Sequence, residues 1–239
     1  MDLTKAGFPG PKRVFNGEHG YFKLIENDDY DILYLQENIG KLWMIDQLAH
    51  KPFPSGRLTH GLVHAIKDLK LKHGLNKDDI ESIECFVPPG VYKLVARPII
   101  DNLTTNYSKL CAKFVGASFM INDHLNIETF TEKKYLNNKD TLNFAKKITM
   151  IKNNKLDQKV LTPQKFIITL VNNSKFEINI DHVYGHPKAP LSEKEYLEKF
   201  SKCCFSSTNK VDQNQVNRML DFIFDLENKD NVIDFFKTI

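Results

Sequence analysis

The 239 residues predict an α+β fold, a mixed sheet and helices in the middle of the chain with helical segments on either side, and three observations carry that reading. FIITLV and KFEINI face each other across Asn172, Asn173 and Ser174, with Phe176, Ile178 and Ile180 alternating with Glu177 and Asn179, the pattern of a hairpin with one buried face. Leu58, Leu62, Ile66 and Leu69 recur at helical spacing up to a stop at Gly74. Beyond GHPKAP, Ser192 and Glu195 stand at capping-box spacing, with Leu191 and Tyr196 where a hydrophobic staple closes over the same turn. The chain therefore divides into residues 1–38, 39–189 and 190–239.

Taken in order, residues 1–38 are punctuated by Gly7, Gly10, Gly17 and Gly20 and by Pro9 and Pro11, which suits loops and short helices. The apolar run LWMI from Leu42 reads as a buried strand leading into KPFPSGRLTH, after which the helix begins. Ile83, Cys85 and Val87 alternate with Glu84 and Phe86 in a strand ended by Pro88 and Pro89. Helices are expected over Tyr107 to Met120, Glu132 to Leu136 and Asp140 to Lys146, then a strand in KITMIK and the hairpin. In the last segment Val216, Leu220, Ile223 and Leu226 form one apolar stripe. NVIDFFKTI adds Val232, Ile233, Phe235, Phe236 and Ile239, apolar groups that imply a covering surface from elsewhere. There is no internal repeat or low-complexity tract.

Composition narrows the function. The 33 basic residues nearly balance the 30 acidic ones, and apart from Arg13, Arg57, Arg97 and Arg218 the basic residues are lysines. Such a chain lacks the footprint of a nucleic-acid binder. Cys85, Cys111, Cys203 and Cys204 have no framework spacing and read as free thiols in a reducing compartment. No signal-like N-terminus and no run of about 20 apolar residues is present, so a cytoplasmic protein without a membrane span is expected.

The chemistry-bearing stretch is KPFPSGRLTH. On a helix begun near Leu58, Arg57, His60 and His64 share a face opposite the apolar stripe, and Lys51 can fold over the same point across Pro52 and Pro54. Helix N-termini attract anions, so these cations suit a carboxylate, while a solvated cationic helix face is the plainer alternative. His60 and His64 have the i, i+4 spacing of metal ligands but lack a third partner, so no metal is expected. His182 and His186, either side of a turn, cap backbone groups or sit in solvent. Ser55 and Cys111 lie in no nucleophile motif, and the early glycines do not match GxGxxG.

At these residues the chain resembles the MmgE/PrpD family, which includes 2-methylcitrate dehydratase, cis-aconitate decarboxylase and iminodisuccinate epimerase. KPFPSGRLTHGLVHAI is similar to its K-P-[YF]-P-x-x-R-x-T-H helix entrance, GPKRVFNGEHGYF to its glycine-rich segment, and YGHPKAPLSEKEYLEKF to its G-x-P-x-x-P-[ML]-S turn and helix. Gly56 stands where the decarboxylase branch carries a histidine, and Val115 and Ser118 stand where serine and tyrosine are usual. The resemblance implies that 39–189 is an MmgE/PrpD-like α+β lid domain. Residues 1–38 would be the remnant and linker, and 190–239 the C-terminal helices, of a truncated all-helical domain whose N-terminal half lies on a separate chain.

It further implies a lyase or isomerase acting on a small di- or tricarboxylate, 2-methylcitrate dehydratase-like and inactive without that half. Lys51, Arg57 and His60 would be substrate-side residues, joined on the helix face by His64 in holding the carboxylates, with His60 and Lys51 catalytic. No metal or organic cofactor would be required, and the protein would be a homo-oligomer. The alternative is a non-catalytic remnant that binds small carboxylates.

Overall fold

A computed structural model describes residues 2–238. The chain forms two compact units, residues 1–47 and 48–239. In the first, short helices α1 (Asp2–Lys5), α2 (Tyr21–Leu24) and α3 (Ile32–Asn38) are joined by turns, and among the described residues only Gly20 is buried. The LWMI run is not a strand. Its backbone closes into a 3-10 turn over Met44–Gln47, with Asp46 N donating to Trp43 O at 3.1 Å. Trp43, Met44 and Ile45 are 66%, 60% and 71% exposed. A short apolar run without alternation forms a strand only where a ladder accepts it, and none does here.

The second unit is built on a four-stranded sheet of order β2-β1-β3-β4, formed by β1 (Ile80–Val87), β2 (Ile148–Lys152), β3 (Gln164–Leu170) and β4 (Lys175–Ile180). β1 pairs parallel with β2 and antiparallel with β3, and β3 and β4 form the expected hairpin, with Asn173 taking the left-handed conformation at φ 67°. The parallel pair requires a long crossover. It is supplied by α5 (Pro89–Val95), α6 (Thr105–Lys109), α7 (Ala112–Asn122), α8 (Glu128–Thr131), α9 (Lys133–Leu136) and α10 (Lys139–Lys146), so the domain is α+β with a mixed sheet.

The apolar face of the sheet carries Ile80, Ile83, Cys85, Val87, Phe166 and Ile168, all at most 1% exposed. α4 (His60–His73) and α7 supply the rest of this core, and Gly74 stops α4 in the left-handed conformation the sequence reading requires, at φ 64°. Gly116 permits the close approach of the two helices, since a Cβ there would fall 2.5 Å from Leu62 Cδ2.

The helix expected over Tyr107 to Met120 is instead two, α6 and α7, broken at Leu110 and Cys111. The Lys109 carbonyl at the break accepts Gly56 N at 2.8 Å, which ties the loop entering α4 to the crossover. Cys111 is fully buried and its thiol donates to the Arg97 carbonyl at 3.4 Å, a core role. The unit ends in α11 (Glu193–Phe205) and α12 (Gln213–Phe224), each opened by a capping box, Ser192 with Glu195 and Asp212 with Gln215. Of the expected stripe, Val216 is buried, with Met219 beside it, whereas Ile223 and Leu226 are 40% and 49% exposed. Ile239 lies outside the described residues.

Candidate functional site

The residues singled out in KPFPSGRLTH come together, though not as one solvent-facing row. Arg57–Thr59 is a 3-10 turn and α4 proper begins at His60. The change of pitch turns His60 inward until it is 0% exposed. Arg57 Nη1 stands 3.5 Å from His60 Nδ1, and a guanidinium only donates, so Nδ1 accepts and the proton resides on Nε2. Nε2 then donates to Ser55 Oγ at 3.1 Å, Ser55 Oγ to Thr59 Oγ1 at 2.9 Å, and Thr59 Oγ1 to the Gly56 carbonyl at 2.8 Å.

Both His60 nitrogens are thereby engaged within the protein, and its burial corrects the expectation that His60 lies on an outward face with Arg57 and His64, opposite the apolar stripe. Burial lowers its pKa to about 3, assisted by the charges of Arg57 and Lys51 and, more weakly, Lys199, against a pull upward from the Ser55 backbone. Arg57 is half-buried, and its guanidinium also donates to the Tyr184 carbonyl at 2.6 Å and the Val183 carbonyl at 3.0 Å. It clamps the 183–184 turn onto the entrance of α4. His64 lies apart from this chain of bonds, its Nε2 3.9 Å from Asp68 Oδ1 and its ring 5.7 Å from that of Tyr184.

Lys51 is exposed, at the edge of a cleft of about 750 Å³. One wall of that cleft is the entrance loop with Phe53 and Phe119, and the other is α11, which presents Glu195, Glu198, Lys199 and Lys202. Lys67 of α4 reaches Glu195 at 2.9 Å and lies 4.2 Å above the Tyr184 ring, locking the two walls together. Burial would raise the Glu195 carboxyl, yet hydrogen bonds from Tyr184, Lys67 and the Ser192 amide and hydroxyl hold it down at about 2. Lys51, Lys199 and Lys202 form no ion pair among the described residues.

Lys199 and Lys202 were missed by the sequence reading. Their signal was present, because Glu195, Lys199 and Lys202 recur at helical spacing after the capping box and share one face. His182 and His186 stack with ring centroids 4.8 Å apart, and His186 Nδ1 caps Lys188 N at 3.0 Å. At Gly56 a Cβ would meet Leu110 Cδ2 at 2.6 Å, so any side chain there displaces Leu110. Val115 and Ser118 are 0% and 1% exposed in α7, packed in the core and away from the cleft.

Among the described residues no helix is long and apolar enough to cross a membrane. The chain is 25% identical over 215 residues to cis-aconitate decarboxylase of Mus musculus, an alignment that covers 83% of this chain and 41% of that protein. It thus spans about two fifths of that relative's length. Residues 53–222, which hold Arg57, His60, the whole sheet and Lys199, match the MmgE/PrpD C-terminal domain, and the chain belongs to the MmgE/PrpD family.

Proposed function

We propose that this domain is the lid-side part of a lyase or isomerase site for a small di- or tricarboxylate. The observation that carries the reading is that Lys51 and Lys199, one from each wall, both act on His60 and have no ion-pair partner among the described residues. Two ammonium groups that line one cleft without an ion-pair partner among the described residues favour a bound carboxylate. Lys51 and Lys199 hold the substrate, and the Arg57–His60–Ser55–Thr59 chain keeps the loop that carries Lys51 in place. A helical half completes the site, a reading supported by the exposed Phe224 at the end of α12 and Leu226 just beyond it. Self-association of the chain is the other use of that apolar surface.

The reaction, whether dehydration, decarboxylation or epimerisation, uses Lys51 as the polar group nearest the substrate. A second reading, a carboxylate-binding module without turnover, is favoured by the engagement of both His60 nitrogens. Calorimetric titration of the chain with citrate and tricarballylate tests the binding common to both readings. Lys51→Ala and Lys199→Ala are each expected to weaken binding about ten-fold. Absence of tricarboxylate binding in the unsubstituted protein overturns the proposal. Turnover on adding a family helical half separates the enzyme from the module.

A further inference from the structure

Chemistry at a carbon beside a carboxylate needs a side chain that can take up and release a proton. His60 is buried with both nitrogens engaged, Glu195 is held as a carboxylate by its hydrogen bonds, and Lys51 and Lys199 are committed as cations to the ligand's charges. A third side of the cleft supplies the missing group. The loop after α7 lines it with Asp123, His124, Asn126 and Glu128.

That loop is fixed at both ends. Asp123 closes α7 in the left-handed conformation at φ 60°, with its amide donating to the Phe119 carbonyl at 3.0 Å. Its carboxylate pairs with Lys70 of α4, which also donates to the Met120 carbonyl at 3.0 Å. On the far side Leu125 is 5% exposed, and Asn126 N donates to Thr129 Oγ1 at 3.1 Å. Between these anchors His124 is exposed to the cleft. Histidine hydrogen bonds and ion pairs among the described residues are made by His50, His60, His64 and His186, and none by His124. Asp123 is paired and a carboxylate at Glu128 would repel a polyanion, so the imidazole is the group in this loop matched to proton transfer near neutral pH.

Resting on the reading of the cleft as a carboxylate site, we propose that His124 is its catalytic acid–base group. A neutral imidazole nitrogen takes the proton from a carbon next to a carboxylate held by Lys51 and Lys199. The C–H bonding pair stays on that carbon, spread into the carboxylate, while the N–H bond forms, and the imidazolium returns the proton to carbon or to solvent. Epimerisation needs this transfer in both directions, dehydration its removal half and decarboxylation its return half.

The test treats the full chain with diethyl pyrocarbonate, which acylates accessible imidazoles, and maps the modified peptides with and without tricarballylate. At about ten times its Kd, tricarballylate should slow acylation of His124 about ten-fold by occupancy. His182 and His186, which do not line the cleft, should react at an unchanged rate. A second arm adds a family helical half and follows deuterium uptake from D2O into the methylene groups of citrate by NMR. His124→Asn should leave tricarballylate binding nearly unchanged and lower that uptake about 100-fold or more.

If tricarballylate binds in the calorimeter but does not shield His124, the inference is overturned and the carboxylate site stands. If no tricarboxylate binds, both fail. Deuterium uptake that survives His124→Asn, or no uptake in the unsubstituted chain although His124 is shielded, overturns the acid–base role and leaves His124 a binding contact only.

Discussion

Ser55, Thr59 and His60 are each at most 4% exposed, whereas α11 buries no residue and α12 buries only Val216 and Met219. The entrance loop and α11 furnish the two sides of one cleft. The entrance loop is held from within, by a chain of buried hydrogen bonds and the Arg57 clamp. The C-terminal helices are held at their starts by capping boxes and at one point by Lys67 with Glu195. A buried polar chain is costly to break, because each lost partner leaves a desolvated group behind. Caps and part-exposed ion pairs each contribute little. Lys51 is therefore carried on a stiff support and Lys199 on a yielding one.

Acid should affect the two regions most unequally. With His60 at about 3 in the folded protein and near 6.5 when unfolded, the unfolded chain binds more protons throughout that window. Stability from this group is complete above about pH 6.5 and is lost as pH falls toward 3, by an amount on the order of 5 kcal/mol. Burial lowers the His64 pKa as well, with the same sign. Glu195, held at about 2, adds a loss only at lower pH, as the solution falls below its ordinary value. Urea midpoints between pH 7.5 and 5 should fall, and His60→Gln should flatten part of that slope. Equal slopes in the two proteins would show that the buried histidine is not the source.

At pH 7.5, His60→Ala removes the centre of the buried chain and is expected to cost about 3 kcal/mol in urea unfolding. Lys51→Ala, nine residues earlier but exposed, should cost less than about 0.5 kcal/mol. Comparable costs for the two substitutions would mean that the loop is not supported from within.

Glu195→Ala probes the other region. It removes the return bond of the capping box and the Lys67 partner, about 1 to 2 kcal/mol together after allowing for solvent screening. Gln215→Ala, which breaks only a cap, should cost about half as much. Limited proteolysis within α11 should accelerate in the first variant and not the second. Equal acceleration would deny the Lys67 lock any role in holding α11.

What could be read from the sequence follows the same division. The hairpin, β1, β2, α4 with its Gly74 stop, and the Ser192 capping box are local patterns, each legible because period or cap chemistry fixes it within a few residues. The LWMI run and the break in the 107–120 helix were not legible, because each depends on a distant partner or its absence. Gly56 N takes the Lys109 carbonyl, and nothing pairs with residues 42–45 as a strand. At the site, spacing brought Arg57 and His60 together correctly, but not the inward turn of His60, which depends on the 3-10 pitch of Arg57–Thr59. Lys199 sits on an element whose role emerges only when α11 lies against α4.

The smallest effect is expected at the far end of the weaker region. Val232, Ile233 and Phe236 of the last 3-10 turn are 65%, 66% and 70% exposed, and the turn meets α12 chiefly through Phe235 against Phe222, at 5.7 Å. Full burial of a large apolar side chain is worth about 1.5 to 3 kcal/mol, and one partly covered ring supplies only a fraction of that. Deleting residues 231 onward should therefore lower stability by less than about 1 kcal/mol. It should leave carboxylate binding in the cleft intact. Because the same deletion removes three large apolar groups from water, it should also shift the chain toward monomer in sedimentation velocity, if those groups are what drives association. A loss well above that figure, with the oligomeric state unchanged, would mean that the turn is gripped by its own domain and that the C-terminal region is held from within, as the entrance loop is.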